Sequence, residues 1–237
     1  MEKTNLEKVK KIAKLFVDLP IEHNNDFGII QHPFISNRFV PKTLEPEDVG
    51  KVIPFYDVCN EEDLNKVRSM LKKVIDITKD YQQFSIIVNK PYLLTFFKYT
   101  KDFLNNEDYS KFLSTAWTYT EYPNNDTNVS TRELLSYFNK SDKNILMSKD
   151  ELEAYNKLDN LIDVYRGVKP GAKVKALSWT TDKKVAKWFA DRYEKNGKVY
   201  KAVIDKKDVL AYFLNRNEYE VVVNYNKLKH IEEVHYD

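Results

Sequence analysis

Residues 161–181 read LIDVYRGVKPGAKVKALSWTT, and residues 218–223 read EYEVVV. Leu161 to Arg166 is rich in β-branched and aromatic side chains and predicts a strand. Val168-Lys169-Pro170-Gly171 has turn chemistry, and Val174 to Thr180 predicts a second strand. Asp182 is placed to cap a short helix whose Val185, Ala186, Phe189 and Ala190 form one stripe. Val199 to Ile204, Tyr219 to Val223 and Lys229 to Tyr236 predict further strands.

Toward the N-terminus the texture turns helical. Leu6, Val9, Ile12, Ala13, Phe16 and Leu19 recur at the helical period until Pro20 closes the segment. Pro33, Pro41, Pro46 and Pro54 interrupt residues 21–58, which read as irregular. Asn60 then heads a helix, with Glu61, Glu62 and Asp63 at its positive end and Leu64, Val67, Leu71, Val74 and Ile75 on one face. Phe84 to Val88, bounded by Asn89 and Pro91, predicts a short strand. Tyr92 to Leu158 is mostly helical, with Phe112, Leu113 and Trp117 on one stripe and capping boxes at Ser130/Glu133 and Ser148/Glu151. Helices come first and strands second, with no repeated βαβ unit, which is an α+β pattern.

Composition narrows the function classes. Hydrophobic residues make up 42% of the 237, including 16 Tyr and 13 Phe, so a packed core is available and wholesale disorder is excluded. With 38 basic against 36 acidic residues the net charge is +2. That argues against nucleic-acid binding by bulk electrostatics and leaves a local basic groove open. No apolar run approaches the roughly 20 residues of a membrane span. Met1 to Leu19 mixes five lysines with three acids, unlike a secretion signal. The single Cys59 excludes an internal disulfide and suits a reducing cytosol, where a buried, unreactive thiol is expected. A cytoplasmic location follows as an expectation, with delivery into another cell left open. Five glycines, none in a phosphate loop, argue against a dinucleotide fold of the Rossmann kind. His230 and His235 stand five apart, the wrong interval for a zinc-protease helix, so no metal site is expected.

Three constellations carry chemistry. Tyr165-Arg166-Gly167 leaves a strand with a guanidinium beside a glycine, suited to phosphate or to a surface ion pair. Ser178 and Thr180 share one face of their strand and Trp179 takes the other; such hydroxyls orient a carboxylate or a ligand, or bond local backbone. Glu218-Tyr219-Glu220 runs directly into Val221-Val222-Val223. On a strand its two carboxylates fall on one face roughly 6.6 Å apart. The same spacing at Glu151-Leu152-Glu153 lies on a helix, where a two-residue step of about 200° separates the acids. Two like charges entering an apolar strand need partners or a task. One such task is to stabilise oxocarbenium-like charge at a sugar's anomeric carbon while the neighbour takes a proton from the nucleophile.

In this order and setting, Arg166, Ser178-Trp179-Thr180 and Glu218-Tyr219-Glu220 resemble the arginine–serine–glutamate motifs of the ADP-ribosyltransferase superfamily, in its E-x-E branch. The likeness covers residues 160–224. It implies a split β-sandwich after a helix-rich N-terminal half, with a catalytic domain over 98–237 and a mostly helical region over 1–97. It implies NAD as co-substrate and no metal. Arg166 would bind the NAD phosphates, Gly167 would let its backbone reach the carboxamide, Ser178 would hold the catalytic glutamate, and Thr180 would support that strand. Glu220 would contact the ribose hydroxyl and stabilise the cationic transition state, and Glu218 would position or deprotonate the acceptor. Ala211 to Asn217 corresponds to the family's substrate-recognition loop, where Tyr212 and Phe213 either meet the target or fill the core. Arg192 to Gly197 matches a loop over the cofactor. The pattern departs from the family's Ser-Thr-Ser at Trp179 and Thr180, and only twelve residues separate Arg166 from Ser178.

The resemblance implies mono-ADP-ribosylation of a macromolecule, a protein arginine by the E-x-E habit. It also implies a toxin-like effector of bacterial or phage type, with an inhibitory partner protein. Transfer to a nucleic acid, hydrolysis of NAD, and a non-enzymatic module that kept the fold are the rival readings.

Overall fold

The computed structural model describes residues 2–24, 29–42, 54–121, 123, 127–192 and 196–234. Pro46, His235, Tyr236 and the middle of the Arg192 to Gly197 loop lie outside them. The chain forms two compact units, Met1–Asp108 and Tyr109–Asp237. Mixed helix and sheet, with helices in the N-terminal half and an antiparallel sheet later, makes the chain α+β.

In the first unit, α1 (Leu6–Val17) is capped by Asn5 and buries Val9, Ala13 and Val17. The segment expected to be irregular contains two short antiparallel pairings, β1 (Glu22–Asn24) with β2 (Ile29–Gln31) and β3 (Phe39–Pro41) with β4 (Phe55–Asp57). Within it, the buried His32 accepts through Nδ1 from the Phe34 and Ile35 amides at 3.1 and 3.2 Å. Cys59 is exposed, not buried as expected, because it follows the tight turn held by Asp57 just ahead of α2 (Glu61–Ile77). Asn60 caps α2 through the Asp63 amide as its position predicts.

The strand expected over Phe84 to Val88 is instead a single helical turn, α3 (Phe84–Ile87). Tertiary packing overrides β propensity here. Phe84 must meet Phe96, on α4 (Leu93–Thr100), at 5.1 Å and Tyr81 at 5.9 Å, and the turn that does so leaves Ile86 in solvent.

In the second unit, α5 (Asn106–Tyr119), whose first turn closes the first unit, leads into α6 (Thr131–Lys140), α7 (Lys143–Leu146) and α8 (Lys149–Lys157). Both predicted capping boxes form. The strands that follow are β5 (Leu161–Val168), β6 (Ser178–Thr180), β7 (Lys198–Asp205), β8 (Val209–Phe213), β9 (Glu220–Val223) and β10 (Lys229–Val234), with α9 (Lys183–Asp191) between β6 and β7. Their order in the sheet is β10-β7-β5-β6-β9-β8, antiparallel throughout.

The sheet is narrowest at its middle. β5 pairs with β7 along its whole length, from Leu161↔Asp205 to Val168↔Lys198. β5 meets β6 at the single pair Tyr165↔Thr180. Two three-stranded halves therefore meet at one point. β6 is also shorter than the Val174 to Thr180 expected, and the strand expected from Tyr219 begins at Glu220, because Tyr219 has φ +45°.

Gly167 is required by packing. A Cβ there would lie 2.0 Å from the Ala186 carbonyl oxygen and 2.5 Å from the Ala190 nitrogen, so only glycine admits α9 this close to β5. Among the described residues, no helix is long and apolar enough to cross a membrane.

Candidate active site

Arg166, Ser178 and Glu220 lie on β5, β6 and β9, three neighbours in the sheet. Glu220 follows Ser178 by 42 positions in the chain, and the antiparallel strand order brings it beside the other two. Arg166 donates through Nη1 to the Ser178 carbonyl oxygen at 2.5 Å, across the joint where the ladder provides one residue pair. Its Nε is buried and has no hydrogen-bond partner. Burial lowers the guanidinium's pKa to about 10, while the Glu220 charge pulls it upward. A donor held dry and unspent in this way is suited to a ligand's oxygen.

Glu220 is the centre of the site. Burial raises its carboxyl pKa from 4.5 to about 7; hydrogen bonds from Ser178 and Trp117 lower it, the Glu218 charge raises it, and the Arg166 charge lowers it. The Trp117 indole donates to both carboxylate oxygens at 3.1 Å. These two donors and one cation keep an anion available inside a region that otherwise favours the neutral acid.

Glu218 is the main correction. The E-x-E spacing was expected to place both acids on one strand face. Instead Glu218 ends a single 3-10 turn over Asn215–Asn217, and the positive φ values of Asn217 and Tyr219, +56° and +45°, break the strand before it starts. Three polar contacts hold this turn. Thr180 donates from its hydroxyl to the Glu218 carbonyl oxygen at 2.7 Å, and the Thr181 amide donates to the Tyr219 carbonyl at 3.2 Å. The buried Glu151 accepts the Leu214 amide at 3.0 Å with one oxygen and caps its own helix at Ser148 with the other. The Glu218 carboxylate still lies near enough to Glu220 to disfavour its ionisation.

Thr180 is accordingly a positioning residue, 4% exposed, whose hydroxyl also accepts from the Asp182 amide at 3.0 Å. Trp179 is buried and bonds the Ala176 carbonyl. Gly167 is occupied by its fit to α9. Tyr212 and Phe213 belong to β8 and are buried. Phe213 pairs with Glu220 across β8 and β9, and Tyr212 reaches the Thr181 hydroxyl at 3.3 Å. Arg192, at the start of the loop expected over a cofactor, pairs with Glu121 at 3.2 Å and lies over the Trp188 ring at 4.9 Å. Among the described residues, no cluster of His, Cys, Asp or Glu is placed to hold a metal.

Two residues of the site escaped the sequence reading. Trp117 was visible only as part of a helical stripe, and Glu151 only as a cap. The available signal was chemical: a core tryptophan needs an acceptor for its N–H. Comparisons of the chain with protein-family models, curated proteins and solved structures gave no match.

Proposed function

We propose that this chain is an NAD-dependent ADP-ribosyltransferase, with Glu220 as the residue that stabilises the transition state. The observation that carries the reading is the convergence of a half-buried carboxylate, the two groups that donate to it and a half-buried cation with a buried, unpartnered Nε on β5, β6, β9 and α5. The near-division of the sheet at β5 and β6 is what a split β-sandwich requires, and it supports the same reading.

The residues present fit the dinucleotide. Arg166, with its unspent Nε, would bind a phosphate or ribose oxygen, and Glu220 would accept from a ribose hydroxyl. NAD supplies a sugar whose C1′ bond to a cationic nicotinamide is ready to break. Glu220 in its ionised form opposes the positive charge that develops at C1′, and the low-dielectric surroundings strengthen that opposition. Ser178 and Trp117 fix the carboxylate so that little reorganisation accompanies the step. Glu218, on its pinned turn, takes the proton that the acceptor releases.

The test is Glu220→Gln with labelled NAD. Nicotinamide release should fall by about 100- to 1000-fold, on the scale of removing one preorganised electrostatic group, while circular dichroism stays that of the parent. Turnover at the parental rate would refute the role. Free ADP-ribose as the only product would assign hydrolysis in place of transfer.

A further inference from the structure

The stretch of chain that links the strands of this site is more basic than the chain as a whole. Residues 168–190 hold Lys169, Lys173, Lys175, Lys183, Lys184 and Lys187 against the single acid Asp182, and all six lysines are exposed. Other lysines of the same unit are paired: Lys198 with Glu233 at 2.8 Å, Lys201 with Asp163 at 2.7 Å and Lys229 with Asp205 at 2.6 Å. Lys169, Lys173, Lys175 and Lys184 enter no ion pair among the described residues.

Their places along the chain tie them to the site. Lys169 follows Arg166 by three residues, Lys175 precedes Ser178 by three, and Lys184 follows Thr180 by four. Three to four residues span at most about 14 Å of chain, so Lys169, Lys175 and Lys184 stay within that reach of the two strands that carry the guanidinium and the hydroxyl. Tyr219, next to Glu220, is 40% exposed and fixed by the Thr181 amide at its carbonyl. An exposed ring on a held backbone beside this carboxylate offers a stacking surface for a base.

Sign decides between acceptors. A cationic arginine peptide would approach against a fringe of unpaired ammonium groups, whereas a phosphate backbone would be drawn to it. The E-x-E argument for arginine also weakens, because Glu218 does not share a strand face with Glu220. We propose that the acceptor is a single-stranded nucleic acid, held by Lys169, Lys173, Lys175 and Lys184 and modified on a base. This rests on the transferase reading above. An unstacked base is required because its nitrogen must reach C1′. The base nitrogen forms the new bond to C1′ as the bonding pair leaves with neutral nicotinamide, and the proton lost from that nitrogen goes to Glu218.

The test uses the full chain and fluorescein-labelled 16-nucleotide RNA and DNA of mixed sequence, without NAD, in 50 to 200 mM KCl. Four lysine contacts should give log Kd a slope of about 3 against log salt, from about 0.7 per contact on single strands. Replacing all four lysines by Ala should remove most of that slope, and Lys201→Ala should leave it. With labelled NAD added, the label should become nuclease-sensitive, and RNA against DNA distinguishes the natural strand. Salt-independent binding, or a label released only by protease, overturns the acceptor proposal while nicotinamide release leaves the transferase reading standing. Oligonucleotide binding with no nicotinamide release under any acceptor overturns both.

Discussion

Trp117 and Glu220 face each other so that one indole N–H is shared between two carboxylate oxygens, each at 3.1 Å. The helix that supplies Trp117 lies outside the three strands that supply the rest of the site. Trp117→Phe keeps an aromatic ring and deletes the donor. A hydrogen bond to a charged group contributes about 1.5–3 kcal/mol, so turnover should fall roughly 10- to 100-fold. Because the indole holds the Glu220 pKa down, the rising limb of kcat/KM against pH should also move above its parental midpoint near 7. An unshifted profile would show that the indole serves packing alone.

The same carboxylate makes stability depend on pH. Between 4.5 and about 7 the folded chain holds a proton that the unfolded chain has lost, so stability falls as pH rises through this window. Glu220→Gln does not titrate. Denaturant unfolding of the parent should weaken from pH 4.5 to 7 relative to the variant, and parallel curves would count against the burial of this group.

His32 in the first unit acts with the opposite sign. Burial holds its imidazole pKa near 4, below the ordinary 6.5, so folding excludes the proton. Stability is complete above 6.5 and is lost as pH falls toward 4. Asn at this position can still accept the Phe34 amide through an Asx turn, so His32→Asn should remove part of the acid sensitivity without abolishing the fold. Unchanged acid unfolding would assign the acid lability elsewhere.

Glu151 lies at a distance from the chemistry in sequence but holds the turn that leads to Glu218 and Glu220. Glu151→Ala leaves the Leu214 amide without its acceptor. Hydrogen exchange at Leu214 should accelerate and kcat should fall, with KM for NAD changed much less, since Arg166 and Ser178 keep their own contacts. Slow exchange at Leu214 in the variant would mean that the turn holds itself.

Gly167→Ala should be among the most damaging single methyl additions in the chain. The new Cβ meets backbone atoms of α9 at 2.0 and 2.5 Å, and backbone cannot step aside as a flexible side chain would. A cost of about 3 kcal/mol or more is expected, the upper range for overpacking, visible as a lowered Tm. A near-parental Tm would mean that α9 moves freely on β5.

Local features were legible in the sequence where they depend on local physics. The caps at Asn60, Ser130, Ser148 and Asp182 all form, because a side-chain oxygen and an amide two or three residues on need nothing distant. The positions of Arg166, Ser178 and Glu220 on strands were equally readable from β-branched runs. Phe84 to Val88 misled because its partner, Phe96, lies in another helix. Glu218 misled because alternation assumes an unbroken strand, and nothing in Asn217 or Tyr219 announces a positive φ. Trp117 was readable as core and silent as a donor, since its acceptor is more than 100 residues away.

The row of strands also sets the order in which the protein becomes competent. A ribosome that has released β5 through β8 has presented the guanidinium and the serine but no acid between them. β9 then slots between β6 and β8, so the last acidic group arrives as the final insertion into a nearly finished sheet. On the proposed function, a nascent or prematurely terminated polypeptide ending before Glu220 would carry the guanidinium and the serine without the carboxylate they surround, and turnover would have to await translation past β9.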